Sequence, residues 1–320
     1  MIYKIVIIGT GALGKRHLSS ILNSGLPMDV YCYDINPKAM DKFEWKDTFH
    51  NKTLNIVSSF DAFPEEIDFA LFAMTSKGRR EMFDQLTDKK QIKNILFEKV
   101  LFQKPEDYDH VGSRLKALNI RAWVNCPRRQ MESYQKLKKE LADAEEMRIS
   151  VSGGEWGMAC NAIHELDIIE YLAGSGNTCV KELKLLPVIS ESRRVGFKEV
   201  YGEISGCSGR CRQFSLSCMK GTDVPDMMTI TSDIGQYIII EGKQKIICMT
   251  AKNGYELEER PFVIPYQSQM TQFVMEDILL KGTSRLTEFD ESARLHLQLI
   301  NPMIRFFEEN GMEEGICPIT

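Results

Sequence analysis

Up to about residue 120, the chain alternates short apolar runs with amphipathic segments. The run "YKIVIIG" ends in glycine, and apolar residues at near-helical spacing follow it as far as Gly25, which predicts a strand, a tight turn and a helix. The runs "DVYCYD", "DFALFAM" and "IKNILFE" predict further strands, with polar or helical material between them. Alternation of this kind indicates a parallel sheet covered by helices.

Beyond residue 122 the pattern changes to helices followed by a series of strands. "QMESYQKLKKELAD" predicts a charged amphipathic helix, and a second helix is expected over about residues 161–172. Only turn signals separate the next four predicted strands, "RQFSLSCM", "DMMTITSD", "QYIIIEG" and "QKIICMT", and helices near 267–281 and 290–309 close the chain. We therefore predict an α/β Rossmann domain with a doubly wound parallel sheet over residues 1–122. An α+β domain with a mostly antiparallel open sheet is expected over residues 123–320.

The composition is that of an ordinary globular protein. Of the 320 residues, 43% are hydrophobic and 27% are charged, which argues against a disordered or fibrous chain. The net charge is -5 and the basic residues are spread along the chain, so nucleic acid is not an expected partner. No apolar run approaches the ~20 residues that cross a bilayer. Glycines interrupt the first apolar run too early for a signal peptide. We expect a cytoplasmic protein with no membrane partner.

Nine cysteines are scattered over the whole chain, as expected of free thiols rather than of a disulfide framework. The densest group is Cys207, Cys211 and Cys218, whose spacing matches no standard zinc pattern. We therefore expect no metal site there and interpret the segment "GCSGRCRQFSLSC" as a glycine-rich hairpin that carries small apolar residues.

The turn "IIGTGALGKRH" places three glycines in G-x-G-x-x-G order, directly after a predicted strand and at the start of a predicted helix. The first glycine permits the turn, the second lets the backbone approach a pyrophosphate, and the third lets helix and strand pack closely. Candidate cofactor contacts in this turn are Gly9, Thr10, Gly11, Ala12, Leu13 and Gly14.

Asp34 closes the second strand, twenty residues after Gly14, where an acid can bond both hydroxyls of an adenosine ribose. Because an acid repels a 2'-phosphate, we expect NAD rather than NADP, although Lys38 nearby keeps NADP open. The alternative is that Asp34 merely starts the turn "DINP".

The glycine turn, Asp34, "FEKVL" and "NAIHELD" together resemble the glucose-fructose oxidoreductase, inositol dehydrogenase and MocA (Gfo/Idh/MocA) family, in order and spacing over essentially the whole chain. In that family the corresponding strand ends in a Glu-Lys-Pro motif whose lysine lies beside the nicotinamide and the substrate hydroxyl. The resemblance gives that catalytic role to Lys99 and makes Glu98 and Thr75 cofactor neighbours, with Arg80 a weaker candidate. Val100 replaces the proline. Without the resemblance, the alternative for Lys99 is a solvent-exposed strand end.

The segment "NAIHELD" gives the second group of candidates. Helical steps of ~100° put Cys160, His164, Asp167 and Tyr171 in one sector. The family pattern is usually Asp-x-Gly-x-His-x-x-Asp, so the resemblance makes His164 the second catalytic residue and Asp167 the trailing acid, and makes both of them, with Cys160, candidate substrate contacts. Cys160 stands where the family commonly has aspartate, which leaves Asn161 or a changed contact to bind substrate. From its own surroundings, a lone histidine on a partly apolar helix is more often structural.

Two adjacent arginines lie where family members enter the second domain. Arg128 and Arg129 could bind a carboxylate or phosphate of the substrate in a forked geometry, or they could be surface charges at a helix start. The first possibility suits an acidic or nucleotide-activated sugar of surface-glycan metabolism.

The resemblance implies an NAD-dependent dehydrogenase acting on a sugar or sugar derivative. Two alternatives stay open: a lyase or epimerase that oxidises its substrate transiently and returns the hydride, and a nucleotide-binding sensor without catalysis. Apolar strands such as "YIIIEG" would leave an exposed patch if unpaired, so a homodimer or homotetramer through the C-terminal sheet is expected.

Overall fold

The computed structural model describes residues 1–41, 43–46, 49–174 and 176–320. The chain divides into two compact units. The first comprises Met1–Phe102, Glu106–Asn125 and Pro265–Ser292, and the second comprises Gln103–Pro105, Cys126–Ile264 and Ala293–Thr320.

The helices and strands follow one another in the alternating order that the sequence predicts for its first part. The strands are β1 (Tyr3–Ile8), β2 (Met28–Tyr33), β3 (Lys52–Val57), β4 (Glu66–Ile67), β5 (Phe69–Phe72), β6 (Gln91–Ile92), β7 (Asn94–Phe97), β8 (Arg121–Val124), β9 (Met147–Gly154), β10 (Cys179–Leu185), β11 (Ser190–Glu191), β12 (Lys198–Glu199), β13 (Gly202–Ser208), β14 (Cys211–Met219), β15 (Met227–Ser232), β16 (Gly235–Ile240), β17 (Lys245–Thr250), β18 (Glu258–Pro261) and β19 (Thr287–Glu288). The α-helices are α1 (Ala12–Leu22), α2 (Arg79–Lys89), α3 (Pro105–Ala117), α4 (Glu132–Glu140), α5 (Met158–Ala173), α6 (Thr271–Lys281) and α7 (Phe289–Glu309).

A seven-stranded sheet in the order β19-β8-β7-β5-β1-β2-β3 forms the centre of the first unit. All its pairings are parallel except that of β19 with β8. Strand order reverses beside β1, because β2 and β3 lie on one side of it and β5, β7 and β8 on the other. In sheets of this kind ligands bind outside the carboxyl ends of the strands at the point of reversal. The predicted doubly wound parallel sheet is confirmed.

The core of this unit lies between the sheet and its helices. Buried side chains of β1 and β2 pack against Leu18 and Ile21 of α1 and against Val274 and Ile278 of α6. Strand β1 is buried over its last four residues and reads as a continuous apolar run, which is typical of a parallel strand covered on both faces.

The first unit extends beyond the predicted boundary at residue 122. It continues to Asn125 and takes in Pro265–Ser292, which the sequence analysis assigned to the second domain. The physical reason is that α6 packs on α1 and that β19 adds an antiparallel edge to the parallel sheet. Neither contact leaves a signal in the order of apolar and polar residues.

An eight-stranded sheet in the order β10-β13-β14-β9-β15-β16-β17-β18 forms the centre of the second unit. Only β14 and β9 pair in parallel. The predicted mostly antiparallel sheet is confirmed, and so is the hairpin of β13 and β14. Strand β9 alternates buried and more exposed residues, so one face of the sheet is covered and the other is open. Within the described ranges, no helix is long and apolar enough to cross a membrane.

Candidate functional site

Three glycines shape the turn between β1 and α1. Gly9 has a φ of +89°, and a Cβ atom there would lie 2.7 Å from the backbone nitrogen of Met74. A Cβ atom at Gly14 would lie 2.0 Å from the carbonyl oxygen of Gly9. Gly11 is different, because it is exposed and a Cβ atom there would meet nothing within 4 Å. The turn is therefore closed on its inner side and open at Gly11, where a ligand can approach the backbone.

The start of α1 is available to an anion. The helix begins at Ala12 with no side-chain cap and with no acidic residue in its first turn. Ala12 is exposed, and Leu13 is half-buried. Backbone N–H groups at a helix start and the helix dipole both favour a phosphate. The open cradle at Gly11 thus fits the pyrophosphate of a dinucleotide.

Asp34 lies directly after β2 and contacts the glycine turn. The backbone N–H of Thr10 donates to Asp34 Oδ2 at 2.6 Å, and the Thr10 hydroxyl lies 3.3 Å from the same oxygen. The backbone N–H of Asn36 donates to Asp34 Oδ1 at 2.9 Å. The carboxylate therefore stabilises the turn that follows β2 and also connects that turn to the glycine turn. Because Asp34 is only half-buried, its position suits the ribose that would adjoin the pyrophosphate.

Glu98 is buried at the carboxyl end of β7, inside a hydrogen-bond network. Its Oε1 accepts from His17 Nε2 at 2.9 Å and from Asn125 Nδ2. His17 Nδ1 lies 2.9 Å from Thr271 Oγ1. Burial alone raises the pKa of the Glu98 carboxyl, but the hydrogen bond and charge of His17, with Asn125, outweigh it and lower that pKa. Glu98 therefore braces β7 against α1 as a carboxylate rather than facing solvent.

Lys99 and Thr75 follow neighbouring strands of the same sheet. Lys99 is half-buried just after β7, and the Lys99–Val100 peptide bond is cis. Thr75 is half-buried in the segment after β5, which pairs with β7. The structure thus places both predicted cofactor neighbours at the carboxyl edge of the sheet. Arg80, the weaker candidate, forms an ion pair with Asp84 one helical turn along α2, at 2.9 Å.

Arg79 is a functional candidate that the sequence analysis missed. Its side chain is fully buried, and Nη1 donates to the carbonyl oxygens of Glu98 at 2.6 Å, Leu101 at 2.7 Å and Val100. Its Nη2 donates to the carbonyl oxygen of Met74. One signal was present in the sequence, since a cation in the first turn of a helix opposes the helix dipole.

Helix α5 in the second unit carries the other candidates. Cys160, Asn161 and His164 are half-buried, whereas Asp167 is 1% exposed. Asn161 Nδ2 donates to the carbonyl oxygen of Trp156 at 2.8 Å. Of the four residues in the predicted common sector, Cys160, His164 and Tyr171 are half-buried and Asp167 is buried.

The start of α5 is held by an acid that the sequence analysis did not single out. The backbone N–H of Ala159 donates to Glu199 Oε1 at 2.5 Å, and that of Val200 donates to the same oxygen at 3.1 Å. A carboxylate at a helix start is favoured by the helix dipole. Glu199 therefore fixes the start of α5 beside Cys160 and Asn161.

Arg129 and Asp167, both predicted substrate contacts, pair with each other. Arg129 Nε donates to Asp167 Oδ2 at 2.9 Å, and Arg129 Nη2 donates to the Asp167 carbonyl oxygen at 3.2 Å. Arg129 is 7% exposed, and its guanidinium lies 5.6 Å from the ring centre of Tyr171. This geometry joins the segment before α4 to α5 and accounts for both residues without a ligand.

Arg128, the other predicted substrate arginine, is also directed inward. Its Nε donates to Glu241 Oε1 at 2.7 Å, and its Nη2 lies 2.9 Å from Glu165 Oε1. The hydroxyl of Tyr134 donates to Glu241 as well. Burial raises the pKa of the Glu165 carboxyl to about 7, although Arg128 opposes the shift, and the charges of Glu241 and Asp226 add to it. Burial also raises the pKa of Glu241, but Arg128 and Tyr134 outweigh it, so that pKa is lowered.

The cysteine group lies on the β13–β14 hairpin, with Cys211 and Cys218 buried and Cys207 half-buried. Among the described residues, no group of three or more His, Cys, Asp or Glu side chains could hold a metal ion.

Comparison with known proteins gives similarity in structure alone. No family model matches the chain, and no curated protein matches it in sequence. Solved structures match over nearly the whole chain. The UDP-N-acetylglucosamine 3-dehydrogenase GnnA from Acidithiobacillus ferrooxidans aligns with a TM-score of 0.71 at 11% identity, over 94% of this chain and 96% of GnnA.

Two further structures differ from GnnA in kind. An oxidoreductase from Agrobacterium radiobacter, in complex with NAD+, L-tartaric acid and magnesium, aligns with a TM-score of 0.67 at 14% identity, over 98% of both chains. A super-repressor mutant of Gal80p from Saccharomyces cerevisiae aligns with a TM-score of 0.72 at 13% identity, over 97% of this chain and 96% of Gal80p. The chain therefore has the two-domain fold of the Gfo/Idh/MocA-type oxidoreductases, as the resemblance in its sequence predicts.

Proposed function

We propose that this protein is an oxidoreductase that binds NAD and transfers a hydride between the nicotinamide and a hydroxyl-bearing carbon of a sugar or sugar derivative. The observation that carries the proposal is the glycine turn, which is closed at Gly9 and Gly14 and open at Gly11, beside an uncapped helix start. The NAD+ complex of the Agrobacterium radiobacter oxidoreductase and the activity named for GnnA support it.

Residues of the first unit would hold the cofactor. The open backbone at Gly11 and the start of α1 suit the pyrophosphate, and Asp34 suits the hydroxyls of the adenosine ribose. A carboxylate at this position disfavours a 2'-phosphate by charge repulsion, so we propose NAD in preference to NADP. When bound, NAD accepts a hydride from the substrate carbon, so the proton of the substrate hydroxyl has to pass to the protein.

We propose Lys99 and His164 as the two residues that hold this proton. Both are half-buried, and an amine or imidazole can accept or donate a proton near neutral pH when its surroundings are adjusted. Arg128 and Arg129 already pair with carboxylates of this chain. We therefore propose that hydroxyl groups of the substrate, rather than an acidic group, are recognised on α5 by Asn161 and His164.

A panel of sugars, sugar acids and nucleotide sugars incubated with the protein and NAD tests this proposal. We expect NADH absorbance together with a product that has lost two hydrogens. The variant Lys99→Met should lower kcat by about 100-fold or more and leave the Kd for ADP-ribose, which lacks the nicotinamide, within about threefold. Lys116→Met, which changes an exposed lysine of α3, is the control and should match wild type. Turnover by Lys99→Met equal to wild type would refute the catalytic role of Lys99.

A second candidate is a nucleotide-binding regulator without catalysis. The similarity to a super-repressor mutant of Gal80p favours it, and so does Cys160 in place of the usual aspartate. It is distinguished by NADH binding with no turnover of any compound, and by identical binding in Lys99→Met. An isomer or a product lacking water, formed without free NADH, would instead indicate the lyase or epimerase alternative.

We also propose that the chain forms a homodimer or homotetramer through the open face of the eight-stranded sheet. Ile238 of β16 and Ile247 of β17 lie opposite each other, and both are half-buried. Ile240 and Met249 on the same two strands are half-buried as well. Apolar side chains on an open sheet face are often covered by a second subunit. A monomer mass by light scattering at micromolar concentration would contradict this proposal.

A further inference from the structure

Arg79 is a cation that is fully buried, so its position requires a physical explanation. Among the described residues it is one of the largest side chains that are fully buried, and it lies in the first turn of α2. Removing a guanidinium from water costs several kcal/mol unless hydrogen bonds replace its hydration. Here backbone carbonyl groups replace it, so the position of Arg79 depends on where those carbonyls lie.

The carbonyl groups come from two segments that carry predicted cofactor neighbours. Arg79 Nη1 donates to the carbonyl oxygen of Glu98, which precedes Lys99, and to those of Val100 and Leu101, which follow it. Arg79 Nη2 donates to the carbonyl oxygen of Met74, which precedes Thr75. Because β5 and β7 are neighbouring parallel strands, these segments lie side by side at the carboxyl edge of the sheet. One planar group therefore fixes the backbone before and after Lys99 and also the segment next to it.

A guanidinium suits this task better than an ammonium. Its five N–H donors lie in one plane in a fixed fork, whereas the three donors of lysine radiate from one atom on a flexible four-carbon stem. Glu98 is held a second time through its side chain by His17 and Asn125, so the backbone at the start of the Lys99 segment is fixed from both directions.

We propose that Arg79 is the positioning residue for Lys99: by fixing the backbone on both sides of Lys99, it sets where the lysine ammonium lies relative to the bound nicotinamide. The position of the ammonium relative to the nicotinamide rests on the function proposed above, whereas the fixing of the backbone around Lys99 does not depend on a cofactor. Arg79 acts on Lys99 indirectly, through its hydrogen bonds to the backbone of the neighbouring residues.

The first test needs no cofactor. Lysines of wild type, Arg79→Lys and Arg79→Met are labelled with trace acetic anhydride, and acetylation of Lys99 is measured by mass spectrometry relative to the exposed Lys136. Loss of the fork should raise the relative labelling of Lys99 by about threefold or more, because a half-buried amine becomes more accessible when its backbone is released. Arg79→Met removes the buried charge, so it keeps a folded variant available if lysine cannot be accommodated.

The control variant is Arg80→Lys, which changes the next arginine of α2, paired on the surface with Asp84. It should leave Lys99 labelling at the wild-type value. If Arg79 has only a structural role, Arg79→Lys and Arg79→Met lower the melting temperature while Lys99 labelling in the folded protein stays unchanged. That outcome would overturn the proposal.

The second test separates the two ends of the cofactor by calorimetry with NADH and with ADP-ribose, which lacks the nicotinamide. Arg79→Lys should keep the Kd for ADP-ribose within about threefold of wild type and lose most of the extra affinity for NADH. Equal loss for both ligands would contradict a role specific to Lys99. If wild type binds neither ligand, the proposed function fails, and the labelling result still decides whether Arg79 positions Lys99.

Discussion

Replacing Glu165 by glutamine should remove a pH dependence of stability that this buried carboxyl imposes on the protein. Burial raises the pKa of Glu165 from 4.5 to about 7, against the attraction of Arg128 and with added repulsion from Glu241 and Asp226. An acid whose pKa is higher in the folded protein binds its proton more tightly there than in the unfolded chain. Its contribution to stability is therefore fully present below about pH 4.5 and is lost as the pH rises to about 7.

The size of the effect follows from the shift. A shift of roughly 2.5 pH units, at about 1.4 kcal/mol per unit, corresponds to about 3 kcal/mol between strongly acidic and alkaline solution. Most of it should appear between pH 5 and pH 8. The glutamine variant lacks the titrating group and keeps the shape of the side chain, and Arg128 keeps its hydrogen bonds to Glu241.

The assay is urea unfolding of wild type and Glu165→Gln at both pH values, followed by circular dichroism. The free energy of unfolding of the variant relative to wild type should increase by roughly 2 to 3 kcal/mol from pH 5 to pH 8. Glu132→Gln, which removes an exposed carboxyl of α4, is the control and should follow wild type closely. A difference that stays constant within about 0.5 kcal/mol, or that changes in the opposite direction, would refute the reasoning.

Two further predictions concern the candidate site. Asp34→Ala should weaken NAD binding by about tenfold and reduce the preference for NAD over NADP, measured by competition titration, because the carboxylate that repels a 2'-phosphate is gone; an unchanged preference would contradict this role. Arg129→Met and Asp167→Leu should each destabilise the protein by about 3 kcal/mol and the double variant by much less than their sum, since each single change takes away the ion-pair partner of a buried charge. Additive losses of unfolding free energy in urea would show that the pair is not coupled.

The sequence predicts the fold well wherever burial is reflected in the apolar pattern. Strands β1, β5 and β7 are buried over most of their length and appear as apolar runs. Strand β3 was missed because it is an edge strand of mostly half-buried and exposed residues, so its apolar pattern is weak. The return of α6 and β19 to the first unit depends on packing between distant segments, which a local pattern does not record.

For the candidate site, the sequence identifies the glycine turn and Asp34 because their chemistry depends on local spacing. It does not show that Asp34 also contacts Thr10, or that Arg129 and Asp167 pair, because such partners are brought together only by the tertiary fold. Arg79 was missed for the same reason, since the backbone carbonyl groups that it binds belong to segments brought to it by the tertiary fold.

The measurement that tests the central claim most directly is calorimetric titration of NAD into wild type, Gly11→Leu and Gly25→Leu. A Cβ atom at Gly11 or at Gly25 would meet nothing within 4 Å, and neither glycine has a positive φ, so both variants should fold like wild type. Only Gly11 adjoins the place proposed for the pyrophosphate. Wild type and Gly25→Leu should bind NAD with a Kd on the order of 1–100 µM, and Gly11→Leu at least about 100-fold more weakly. Equal binding by all three proteins, or no binding by wild type at about 1 mM NAD, would contradict the account.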